Sequence, residues 1–119
     1  MSLEILTFEK LLHILENSPA NLDFNQTMGV IDALYTFTPA RFQNGELSNE
    51  AGENSGSCKL FAFAKLQQLS EQQTLDCFGQ YYREDVLKNP ESDNHQNIRN
   101  FMSHGWKGIS FESEALQAR

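Results

Sequence analysis

Residues 57–69, SCKLFAFAKLQQL, constrain the fold more than any other stretch. At helical spacing, Leu60, Phe61, Phe63, Ala64 and Leu66 leave few sides of the cylinder polar. Such a helix has to be enclosed by other elements. The pattern therefore predicts a central helix over 57–69 with neighbours packed around it. The chain has 119 residues, 39% of them hydrophobic, with nine Phe. One core of this kind is feasible at that size without disulfides or metals. Residues 1–119 are read as a single domain.

The neighbours are written in helical periodicity and caps. Phe8, Leu11, Leu12 and Leu15 give one apolar stripe over Thr7–Glu16, closed by Asn17, Ser18 and Pro19. Asp23 and Gln26 form a capping-box pair that opens a second helix, with Phe24, Met28, Ile31 and Tyr35 on one face. Ser70 and Gln73 form another, and Leu75, Phe78, Tyr82 and Val86 align behind it as far as about Lys88, before Pro90. A third pair, Asp93 and Gln96, predicts a fifth helix with Ile98, Phe101 and Met102 inward and Gly105 at its end. Two aromatic segments, 36–42 (TFTPARF) and 106–111 (WKGISF), lose this period and suit a two-stranded antiparallel ribbon. The closing SEALQAR is read as a frayed turn. The fold expected is α+β and predominantly helical: about five helices around the central one, plus the ribbon.

The net charge of −7 repels phosphate backbones and anionic lipid surfaces, which disfavours nucleic acid and membranes as partners. No run of about 18 apolar residues is present. The first residues carry acids early and lack a small-residue cleavage site, so they do not read as a secretory signal. Cys58 and Cys77 lie in apolar helical segments and read as reduced, buried thiols.

The chain's polar chemistry concentrates in two places. The first is the loop 46–56, ELSNEAGENSG, which runs into the central helix with Ser55 or Ser57 as the expected cap. Glycine and asparagine accept positive φ, and free amides at a helix start attract an anion or a polarised oxygen. Asn49, Asn54, Ser55 and Ser57 are the candidate ligand-binding residues, with a small anion at the helix start near Ser57. The alternative is an ordinary connector with a good cap. The spacing does not match a phosphate-binding P-loop. Cys58, in the first turn, is either a thiol activated by its position or a small buried hydrophobe.

The second place is DNHQNIRNFMSHGW, residues 93–106. His95 and His104 are nine residues apart, so they face opposite sides of one helix and do not share a metal. No paired cysteine or HExxH motif is present, so neither a metal nor a cofactor is expected, although a site of Asp93, His95 and a residue from the 49–57 loop stays open. His95 is a candidate catalytic residue, alone or as a base for Cys58. Otherwise it is a helix-start residue bonded to backbone. Asn97 and Arg99 are candidate ligand-binding residues, and Arg99 and Arg83 are equally suited to structural salt bridges. His104 is read as structural and His13 as solvent-facing.

Three blocks, PARFQNGELSNEAGENSGSCKLFAFAKL, LSEQQTLDCFGQYYREDVL and HQNIRNFMSHGW, resemble the HopJ type III effector family over about Phe37–Phe111, with a looser match from Phe8. The resemblance implies delivery into host cells through a type III secretion system. It brings no settled enzymatic activity, so it assigns no catalytic residue. The alternative within the same resemblance is a protein that stays in the bacterial cytoplasm. Three functions remain open: a binding protein for a host or bacterial protein, a small-molecule or anion-binding protein, and a small hydrolase or transferase using Cys58 or His95. They rank in that order because no complete catalytic constellation is spaced along the chain. The family blocks concentrate in the loop and the fifth helix, which predicts that these two segments meet in space.

Overall fold

The computed structural model describes residues 6–119. Helix α1 (Phe8–Asn17) is capped by the Thr7 side chain and buries Leu11 and Leu15. A short 3-10 turn, Pro19–Asn21, leads to α2 (Phe24–Leu34), whose Asp23–Gln26 capping box is complete in both directions. Strand β1 (Tyr35–Phe37) follows directly. Strands β2 (Phe42–Asn44) and β3 (Leu47–Asn49) form a tight hairpin. Then come α3 (Ser55–Leu66), α4 (Glu71–Asp76), a π-helical segment (Tyr81–Val86) and α5 (Gln96–His104). A 3-10 turn, Gly105–Gly108, leads into β4 (Ile109–Phe111), and β5 (Leu116–Ala118) ends the chain. The fold is α+β and mostly helical.

Helix α3 is the enclosed element. Six of its residues, Cys58 and Leu60–Ala64, are buried. Phe61 packs against the rings of Phe42, Phe78 and Phe101 at 6.2, 5.4 and 5.0 Å. Phe63 turns the other way, to Phe8 at 5.9 Å and Tyr35 at 6.2 Å. Two successive odd positions thus bind opposite sides of the molecule to one helix. Only Leu66 departs from the pattern, being 55% exposed.

Several expectations are corrected. The central helix stops at Leu66, not residue 69. Gln68 takes a left-handed conformation (φ 56°), and Leu69 N–H and Gln68 N–H donate to Ala64 O and Lys65 O. This is the double bond pattern that ends helices, usually with glycine at the left-handed position. The helix expected over 71–88 is broken at Gly79, where φ is +62°, and resumes as a π turn with Leu87 N–H donating to Tyr82 O. Gly79 lies against the start of α2, where a Cβ would come within 2.5 Å of Phe24 N. The break exposes the Cys77 carbonyl, and the buried Thr27 hydroxyl donates to it at 2.8 Å. Leu75, Phe78, Tyr82 and Val86 are all buried, as the periodicity required.

The ribbon forms only where Phe42 faces Phe111. Their rings stack at 5.4 Å, and β2 is the centre of a three-stranded antiparallel sheet, β3-β2-β4. Strand β3 lies inside the segment read as polar loop. The turn at Asn44–Gly45 folds it back, with Gly45 at φ +60°. Residues 35–37 pair instead with 116–118, so the expected frayed turn is a strand. Trp106 and Lys107 stay helical, and the Trp106 indole donates to Leu69 O at 3.1 Å. Met102, expected inward with Ile98 and Phe101, is 45% exposed. Finally, neither Ser55, Ser57 nor Asp93 caps a helix. Asn54 and His95 hold those positions.

Gly79→Ala places a Cβ both in the left-handed region and against backbone. The strain alone is about 1–2 kcal/mol, and the contact with α2 adds to it. Urea denaturation should show a loss larger than that, whereas Gly52→Ala, whose Cβ meets nothing within 4 Å, should lose only the conformational part.

Candidate functional site

Helices α3 and α5 begin in the same way. Each is preceded by a non-glycine residue in the left-handed region, Asn54 (φ 51°, ψ 48°) and His95 (φ 51°, ψ 50°), and neither start has a side-chain cap. The first helical amide bond of α3 is Cys58 N–H to Asn54 O, so the amides of Ser55, Gly56 and Ser57 precede the ladder. In α5 the first is Ile98 N–H to His95 O, leaving those of Gln96 and Asn97. Both first turns open into one cleft of about 390 Å³. Asn54, Gly56 and Ser57 line one side and His95, Gln96, Asn97 and Ile98 another. Phe24, Phe78, Tyr81 and Leu47 supply an apolar wall. Gly56 is required here, because a Cβ would stand 2.9 Å from the Phe24 ring.

A relay of asparagine amides fixes the two helix starts relative to each other. Asn97 and Asn49 exchange hydrogen bonds: Asn97 Nδ2 donates to Asn49 Oδ1 at 3.0 Å and Asn49 Nδ2 returns to Asn97 Oδ1 at 3.1 Å. Asn54 Nδ2 donates to Asn49 Oδ1 at 2.7 Å, which ties the α3 start to the pair. Asn44 Nδ2 donates to Asn97 O at 2.7 Å and to its Oδ1 at 3.0 Å, adding strand β2. Asn44, Asn49 and Asn97 are buried, and Asn44 Oδ1 has no hydrogen-bond partner among the described residues. The loop and the fifth helix therefore meet, through amides read from the sequence as ligand contacts. Asn97 lines the cleft; Asn49 does not.

His95 is held by residues that sequence reasoning did not single out. Its Nε2 lies 2.9 Å from Asp85 Oδ2, and the Tyr81 ring stacks on it at 5.1 Å and 23°. Both partners come from the π segment, whose geometry periodicity did not reveal. The bond is to a carboxylate, not to backbone as one reading had it. Asp93, two residues before His95, contributes only its carbonyl, which accepts from Gln96 Nε2 at 2.7 Å.

The remaining candidates lie elsewhere. Arg99 makes no salt bridge among the described residues. Its Nε donates to Asn94 O at 2.6 Å and its Nη2 to Asn94 Oδ1 at 2.7 Å and Asn89 O at 3.0 Å, stapling the segment before α5. Arg83 likewise serves carbonyls, donating to Leu22 O at 2.7 Å. Ser55 donates to Gly52 O at 3.4 Å. Cys58 is buried, does not line the cleft, and its thiol donates to Ala40 O at 3.6 Å. Burial pushes this thiol up, against the Ala40 bond, so the helix start does not activate it. Cys77 is pushed up to about 12 by burial and then by Asp76. Both cysteines are free. Among the described residues, no group of His, Cys, Asp and Glu is arranged to hold a metal ion.

A family model described as HopJ type III effector protein matches residues 8–116. The chain belongs to the HopJ family. A solved relative, described as the crystal structure of unknown function protein VPA0580, is similar over the whole HopJ chain: 52% identity, TM-score 0.92, covering 100% of this chain and 97% of that one. No curated protein matches this HopJ chain. No helix among its described residues is long and apolar enough to cross a membrane.

Two measurements test this geometry. Asn97→Ala strands the buried Asn49 donor and leaves Asn44 Nδ2 only the residue-97 carbonyl, so urea denaturation should show a loss of about 1–3 kcal/mol. The thiols set an alkaline limit. Raised folded values mean that the neutral thiols stabilise fully below the ordinary value near 9.0 and that this contribution is lost as pH rises toward the folded values. Denaturation midpoints should fall above about pH 9, and less so in Cys77→Ala measured against its own neutral-pH value.

Proposed function

We propose that this HopJ family protein acts by binding, and that the cleft between the starts of α3 and α5 takes a small ligand with an anionic or carbonyl head and an apolar body. One observation carries the reading: two uncapped helix starts, each entered through a strained left-handed residue, open into a single cleft. Each start carries the equivalent of roughly half a positive charge. Together they give an acidic protein a local electropositive point without a lysine or arginine among the lining residues. The apolar wall suits the rest of such a ligand. Strained backbone is tolerated where the surroundings hold it, and such positions cluster at ligand sites. Delivery into a host cell, which the family name implies, is compatible with either a host or a bacterial ligand.

A second reading, docking of a host or bacterial protein, is favoured by a separate apolar groove of about 610 Å³ beside the exposed Leu66, with Ala62, Phe111, Ala115 and Leu116 along it. Leu66→Glu distinguishes the two readings. It charges the groove and leaves the cleft intact, so small-ligand binding should persist in this variant.

Ser57→Glu tests the cleft. A carboxylate in the first turn of α3 stabilises the helix by about 0.3–1 kcal/mol and occupies the anion position. The variant should melt no lower than the parent yet lose the thermal shift that benzoate or phenyl phosphate gives the parent. A saturating ligand at 100 times its Kd adds about 2.7 kcal/mol. A parent that shifts with neither compound, or a variant that shifts equally, removes the reading.

A further inference from the structure

One residue of the cleft wall, His95, belongs to an ionisable pair that ligand binding leaves unused. Asp85 Oδ2 stands 2.9 Å from His95 Nε2. With the carboxylate accepting Nε2–H, the neutral imidazole carries its lone pair on Nδ1. No described residue hydrogen-bonds that nitrogen. The ring is oriented by the Tyr81 stack at 5.1 Å and by the Asp85 contact. Both Tyr81 and Asp85 come from the π-helical turn, a form common at functional sites. His95 itself lines the cleft. An oriented imidazole with a free lone pair, in the wall of a cleft that the α3 first turn also lines, is the combination that acyl hydrolysis needs.

We propose that the cleft hydrolyses carboxylic esters, with His95 as the proton acceptor and Asp85 as its positioning residue. The proposal rests on the ligand reading above. A water oxygen bonds to the acyl carbon while its proton passes to Nδ1. The carbonyl π electrons move onto oxygen, and the amides of the α3 first turn are the donors available to that oxyanion. The intermediate collapses as the bond to the alcohol oxygen breaks, and the departing oxygen takes the proton back from the imidazolium. The products are a carboxylic acid and an alcohol, with no net oxidation or reduction. Water is the nucleophile because Cys58 is buried away from the cleft. An acyl centre suits the site better than a phosphoryl centre, whose charge spreads over three oxygens and draws on lysine or arginine; none lines this cleft among the described residues. The wall of Phe24, Phe78 and Tyr81 favours an aryl or alkyl group.

The test uses the full chain with para-nitrophenyl acetate and benzoate esters, alongside calorimetric titration with benzoate. The variants are His95→Asn, whose asparagine tolerates the left-handed backbone, and Asp85→Asn. His95→Asn should lower kcat by about 100- to 10,000-fold and keep the circular dichroism of the parent. Asp85→Asn should lower kcat while KM stays within about twofold, and nitrogen NMR should show the neutral ring leaving the Nε2–H tautomer. A parent no faster than His95→Asn overturns the proposal. If that parent still binds benzoate, the ligand reading stands without chemistry. His95-dependent turnover with no benzoate affinity would support the hydrolytic step and remove the anion reading.

Discussion

Helix α3 has almost no solvent side, and the rest of the molecule is arranged around that fact. Phe61 and Phe63 point to opposite halves of the structure, so Phe78 (just after α4), α5 and β2 assemble on one side and α1 and β1 on the other. A helix buried in this way has a fixed axis. Its N-terminus is then a rigid point in space, and whatever approaches it is positioned by the core. Fully burying one such aromatic or aliphatic side chain is worth about 1.5–3 kcal/mol, and six residues of α3 are buried. The site is thus an extension of the core's geometry.

Much of this was legible in the residues. The Asp23–Gln26 and Ser70–Gln73 pairs read as capping boxes and form them, because both partners are local and the bond pattern is fixed by helix geometry. The inward positions of α4 and the π turn followed from periodicity even though the helix breaks between them. What did not show was left-handed backbone at residues other than glycine. Asn54, Gln68 and His95 each set a helix boundary with φ near +50°, and Gln and His carry little signal for that conformation. The Asp93–Gln96 pair matched the capping pattern but lost to the His95 turn, which is held by Asp85 and Tyr81 from ten to fourteen residues away.

The site was half visible for a related reason. Asn54, Ser57, His95 and Asn97 were readable because amides, hydroxyls and imidazoles stand out in a polar segment. Asp85 and Tyr81 were hidden because their relation to His95 depends on the π turn. Asn49 shows the converse. It looked like a ligand contact and is a buried strut whose partners are other amides. Arg99 looked like a carboxylate clamp and instead gathers the carbonyls of a loop that has no strand or helix to satisfy them.

The hairpin turn at Asn44–Gly45 has one more consequence. An asparagine followed by glycine is chemically fragile, because the glycine nitrogen can attack the side-chain carbonyl, expel ammonia and leave an aspartate or its isomer. Here that nitrogen is turned away, donating to Gly108 O at 2.9 Å, and the Asn44 amide is clamped on Asn97. Folding therefore slows the ageing of the chain at its most labile bond. Damage there accumulates in molecules that have opened, and once formed, the new negative charge bars them from closing again.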